Sequence, residues 1–127
     1  MYMFLAVAIG GALGSLARHY TISAAANQWG QNFPYGTLIV NIIGSFVIGA
    51  IMETFALKFN PPPQEIRAFL VTGILGGFTT FSSFSFDVLK LVDTNHYLPA
   101  LVYVLLSVGL SLTAVFAAVH IMRGVLA

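Results

Sequence analysis

Gly76-Gly77-Phe78-Thr79-Thr80-Phe81-Ser82-Ser83-Phe84-Ser85 interrupts a stretch that is otherwise apolar enough to cross a membrane. It sets a glycine pair and five hydroxyl side chains among three aromatic rings. Hydrocarbon leaves each unpaired backbone group costing several kcal/mol, so a helix broken at Gly76-Gly77 belongs against protein or water and not lipid. The segment is expected to line something that polar species cross.

The rest of the chain agrees with a membrane setting. Of its 127 residues, 58% are apolar or aromatic and 7% are charged, against about 25% charged in ordinary cytosolic domains. The deficit runs along the whole length, so no cleavable targeting peptide is needed to explain it. A net charge of +1 gives no reason to expect nucleic acid, and the absence of cysteine excludes disulfides, thiolate metal sites and cysteine nucleophiles. His19, His96 and His120 lack metal-site spacing and read as boundary residues. No nucleophile, base and orienting residue can be assembled, so an enzyme is not expected.

A helix needs roughly 20 residues to cross the hydrocarbon core. Four segments qualify, at about 2–25, 35–57, 66–92 and 97–122, making residues 1–127 one all-α, four-helix transmembrane domain. Asn27 to Pro34, with Trp29 as an interface anchor, joins the first pair. Asn60-Pro61-Pro62-Pro63 precedes the third and Asp93-Thr94-Asn95 turns into the fourth. No internal repeat is evident, so any two-fold relation has to come from a second copy. Lys58, Arg67 and Arg123 share one side under this topology, with Lys90 on the other and Arg18 near the end of the first span. Such weak bias suits either a single orientation set by cellular factors or equal insertion both ways as antiparallel dimers.

Gly10-Gly11-Ala12-Leu13-Gly14-Ser15-Leu16-Ala17-Arg18 gives the first helix a smooth face for close helix contact. Arg18 is read either as snorkelling beside that packing or as vestibule charge. In Tyr35-Gly36-Thr37-Leu38-Ile39-Val40-Asn41-Ile42-Ile43-Gly44-Ser45-Phe46, Asn41 is the one strong amide donor in an apolar run. Taken by itself, it reads first as an interhelical hydrogen bond and only second as a pore donor. Glu53 reads as interfacial, and Asp87 reads as a helix-end charge balanced by Lys90 three residues on.

These three motifs, in this order over four spans, closely resemble the Fluc (CrcB) fluoride channels, and the resemblance covers essentially the whole chain. It implies an antiparallel dual-topology homodimer in lipid, with two pores that export fluoride passively across a bacterial-type inner membrane. It also implies a structural, untransported Na+ at the dimer centre, held by the backbone carbonyls of Gly76 and Thr79. The resemblance places the pore on Asn41, Phe81, Phe84, Tyr103, Ser107 and Ser111, and a switching triad on Ser82, Ser83 and Asp87. Many relatives have Thr for Ser83 and Glu for Asp87. Phe81 and Phe84 share a helical face, as do Ser107 and Ser111. Ordinary packing explains either pair taken alone. The alternative is a small dual-topology exporter of cations or drugs, but its expected buried carboxylate is missing from the first helix.

Overall fold

The computed structural model describes residues 2–127, all helical apart from short connections. Helix α1 spans Tyr2–Trp29 and α2 spans Tyr35–Lys58. The next stretch begins as α3 (Gln64–Arg67), widens into a π-helical segment (Ala68–Leu75) and closes with the single turn α4 (Gly76–Phe78). After Thr79 and Thr80, α5 (Phe81–Asp93) continues, and α6 (Tyr97–Leu126) completes the chain. Helix α1 runs one turn beyond the expected boundary, so Trp29 ends it instead of lying in the connection. Gly30, with φ of 81°, then turns the chain, because only glycine takes that left-handed conformation without steric cost.

Three stretches, Tyr35–Lys58, Gln64–Asp93 and Tyr97–Leu126, are long and apolar enough to cross a membrane. Helix α1 has the length, at 28 residues, but its glycines, Ser15, Arg18 and His19 dilute its apolar character. It packs chiefly along the π segment and α4, while α2 packs along α6.

The α1 contact depends on bare backbone. A Cβ on Gly10 would sit 2.5 Å from the Phe69 carbonyl oxygen, and one on Gly77 would sit 2.6 Å from that of Gly11. The small-residue face read in α1 is therefore a helix contact. This also corrects the position of the break. Gly76 and Gly77 are helical, and the chain leaves the helix at Thr79 and Thr80, where ψ is 153° and 112°. Gly77 serves close approach to α1, not local unwinding.

A small core of Leu38, Leu91, Ala100 and Tyr103 ties α2, α5 and α6 together. Large apolar side chains elsewhere point outward, among them Ile9, Leu13 and Leu16 of α1 and Leu101, Leu105 and Phe116 of α6. A water-soluble monomer rarely shows so extensive an apolar surface; lipid and partner helices cover it without penalty. Near the end of α2, Glu53 accepts from Arg123 Nε of α6 at 2.8 Å, the one ion pair among the described residues. Lys90 makes no such pair with Asp87 and instead lies 5.8 Å from the Phe86 ring centre.

Replacing Gly77 by alanine is expected to lower the unfolding midpoint of the detergent-solubilised protein, with an overpacking cost of about 1–3 kcal/mol. Gly124→Ala, whose added methyl meets nothing within 4 Å, is the comparison and should leave the midpoint in place.

Candidate functional site

The break between α4 and α5 is held by a side chain from another helix. Asn41 Oδ1 accepts from the Thr80 backbone N–H at 2.8 Å, and Asn41 Nδ2 donates to the Thr80 carbonyl at 3.1 Å. One amide thus satisfies both polar groups of a residue whose neighbours have left the helix, as a paired strand would. Thr80 in turn caps α5, its Oγ1 accepting from Ser83 N–H at 3.1 Å and meeting Ser82 Oγ at 3.2 Å. Because these N–H groups point to Asn41 and to Thr80 Oγ1, the Gly76 and Thr79 carbonyls lose the partners four residues on that a continuous helix would supply.

Beside the break lies a cleft of about 490 Å³ lined by Asn41, Gly76, Thr79, Thr80, Phe81, Phe84, Ser107 and Ser111, among others. Phe81 and Phe84 meet with ring centres 5.4 Å apart, and Phe81 is 77% exposed. One turn apart on α6 and lining the same cleft, Ser107 and Ser111 carry buried hydroxyls that have no hydrogen-bond partner. Buried hydroxyls usually find a partner, commonly the carbonyl one turn back in their own helix. Here neither hydroxyl is committed to another protein group.

Tyr103 is fully buried one turn before Ser107. Its ring centre lies 5.2 Å from that of Phe84, and its hydroxyl donates to Asp87 Oδ2 at 3.0 Å. The structure thus joins Phe81, Phe84, Tyr103 and Asp87 in a connected row. It does not hydrogen-bond Asp87 to Ser82 or Ser83: Tyr103 donates to Asp87 Oδ2, the Ser82 hydroxyl meets Thr80 Oγ1, and Ser83 reaches the same oxygen through its backbone N–H. Arg18, half-buried on α1, lies outside the cleft lining. The described residues contain no cluster of three His, Cys, Asp or Glu that could hold a metal ion. The freed carbonyls are the hard oxygen donors that this region offers.

Thr80 escaped the sequence reading although it is the hinge residue. Its signal was modest: a Thr three residues ahead of Ser83 at the start of an apolar, amphipathic helix. Phe33, whose ring meets Tyr103 edge-on, had no signal in a connection rich in Asn and Gln.

Long apolar helices, an outward apolar surface and a hydroxyl-lined intramembrane cleft define an integral membrane protein. The chain belongs to the CrcB family: the family model described as "CrcB-like protein, Camphor Resistance (CrcB)" matches residues 5–119. A Rhizobium etli protein named fluoride-specific ion channel FluC is 47% identical over 123 residues, covering 97% of this chain and 98% of its own length. Proteins of the same name from Granulibacter bethesdensis and Roseiflexus are 47% and 44% identical, covering 97% and 94% of this chain and 96% and 95% of their own lengths. Those are names of channels, not enzymes, in keeping with the missing catalytic constellation.

Removing the Asn41 amide strands both backbone groups of Thr80. Asn41→Ala should cost about 2–3 kcal/mol of stability. Thr80→Val, which removes the cap, should cost about 1 kcal/mol. Chemical unfolding in detergent measures both.

Proposed function

We propose that this protein is a fluoride channel that lets cytoplasmic fluoride leave the cell passively through the cleft beside the α4–α5 break. The observation that carries the reading is the pair of uncommitted, buried hydroxyls of Ser107 and Ser111 on residues that line the same cleft as Phe81 and Phe84. The chain also shares nearly half its residues, over almost its full length, with relatives named fluoride-specific channels.

Fluoride is small and strongly hydrated, so a pathway for it must replace water's hydrogen bonds with other donors without holding the ion permanently. Ser107 and Ser111 supply O–H donors on one side. The rings of Phe81 and Phe84 supply their electropositive edges on the other. Chloride, larger and more weakly hydrated, gains less from such donors, which favours the smaller ion. Asn41 forms part of the wall through the same amide that fixes the break, and Tyr103 with Asp87 stands toward one end. Ser82, Ser83 and Asp87 form the switching group in this reading, with the Ser82 hydroxyl and the Ser83 backbone N–H both on Thr80 Oγ1. Arg18 contributes positive charge at a vestibule.

The working unit in this proposal is a homodimer of antiparallel, dual-topology chains in a bacterial-type inner membrane, with two pathways. Each chain is one four-span domain. Helix α1, about 42 Å long at 1.5 Å per residue, reaches across the bilayer even though its composition is less apolar. The near-balanced Lys and Arg distribution supports insertion both ways. The Gly76 and Thr79 carbonyls, freed by the bonds to Asn41 and Thr80, fit an oxygen-ligated Na+ that would be structural and untransported. Such an ion, when bound, supplies the positive charge that neutralises carbonyls removed from helical bonding.

The test is fluoride efflux from liposomes carrying the purified chain, with chloride and organic cations as controls. Phe81→Ile and Phe84→Ile keep apolar bulk but remove the ring edges, so each should reduce fluoride flux at least about tenfold in correctly assembled dimers. Ser107→Ala should reduce it less, since Ser111 still donates. Wild-type flux in both phenylalanine variants would remove this cleft as the pathway.

Preparing and assaying the protein in potassium with sodium rigorously excluded should lower both flux and thermal stability, and restoring sodium should recover them. Unchanged flux and melting behaviour after prolonged exchange would argue against the sodium site.

A further inference from the structure

The row of rings that lines the cleft does not stop at Tyr103. Phe33, from the connection between α1 and α2, meets Tyr103 with ring centres 5.5 Å apart and planes at 84°, an edge-to-face contact. Phe33 is half-buried against the core cluster that contains Tyr103, and a second tilted contact to Tyr35 at 5.0 Å holds its other side. Phe33 and Asp87 both line the two polar clefts at this end of the bundle, of about 360 and 560 Å³, and Tyr103 lines neither. Phe84, on the opposite flank of Tyr103, lines the intramembrane cleft. Tyr103 therefore stands as the partition between the intramembrane cleft and the mouth, with Phe33 on the mouth side, Phe84 on the cleft side and Asp87 on its hydroxyl.

We propose that Phe33 is a positioning residue for conduction: its ring braces Tyr103 in the rotamer that keeps the hydroxyl on Asp87. The inference rests on the fluoride-channel reading and extends it to a residue outside the helices. A phenol side chain occupies discrete χ1 wells, and packing beside the ring decides which of them it takes. Without the Phe33 ring, the space beside Tyr103 opens into the mouth clefts. The phenol hydroxyl then leaves Asp87. Phe33 touches no ion in this scheme; it acts through the Tyr103 hydroxyl.

Fluoride efflux from liposomes is measured for the wild type, Phe33→Leu, Phe33→Tyr, Tyr103→Phe and the double variant Phe33→Leu with Tyr103→Phe, each first shown to elute as the wild type does. Phe33→Leu should lower flux about threefold to tenfold, the range set by loss of one aromatic pair. Phe33→Tyr, which keeps the ring, should retain wild-type flux. Tyr103→Phe should lower flux on its own. The double variant should conduct like Tyr103→Phe alone, because the brace has nothing left to position. The inference is overturned by wild-type flux in Phe33→Leu or in Tyr103→Phe, or by losses that multiply in the double variant, as independent packing effects do. A wild type that passes no fluoride overturns the channel reading itself, a result distinct from any of these.

Discussion

A backbone that leaves its helix within an apolar environment must have its polar groups satisfied by something other than water. Here the Asn41 amide satisfies the Thr80 N–H and carbonyl together, and the cleft, the α5 cap and the freed carbonyls all follow from that pair of bonds. An asparagine suits the task because its side chain carries a donor and an acceptor at the spacing of a peptide group. Aspartate would offer no donor and would add a buried charge. The amide thus belongs to the architecture of the break before it belongs to any pathway, and its two roles are compatible because the cleft forms where the break turns α5 away from α4.

Close backbone approach supplies the second constraint. The smooth face of α1 lets the π segment and α4 lie so near that Gly10 and Gly77 admit no side chain. That contact fixes the chain on one side of Thr79 and Thr80, and the core of Leu38, Leu91, Ala100 and Tyr103 fixes α5 on the other. Two packed halves joined at a short extended hinge frame the cleft. Ser107 and Ser111 belong to α6, which packs along α2, and their hydroxyls are buried without a hydrogen-bond partner.

Polar chemistry is sorted along the bundle with little use of charge. The ion pair of Glu53 and Arg123 ties α2 to α6 near one end, with Arg123 64% exposed, so it contributes little energy and chiefly orientation. Asp87 is held by a phenol and not by Lys90, although Lys90 sits at the helical spacing that favours a pair. A neutral donor keeps the carboxylate in place without a fixed cation beside a route proposed for an anion.

The membrane class, the main helical boundaries, the turn at Asp93 to Asn95 and the small-residue face of α1 were all present in the sequence. Each depends on local composition or on spacing along one helix, and these survive in a linear reading. Phe81 with Phe84 and Ser107 with Ser111 were paired by the same helical period. The position of the break was not. A glycine pair looks like the weak point of a helix, yet Gly76 and Gly77 stay helical, with α1 packed on Gly77, and the chain opens where Asn41, 39 residues away, reaches Thr80. The partner of Asp87 and the brace on Tyr103 were equally out of reach, since both join residues from different elements. Residue type and period decide what can lie in a membrane and which side chains share a face; only the tertiary contacts decide which backbone group is satisfied by which side chain, because that choice depends on distances the chain sets by folding back on itself.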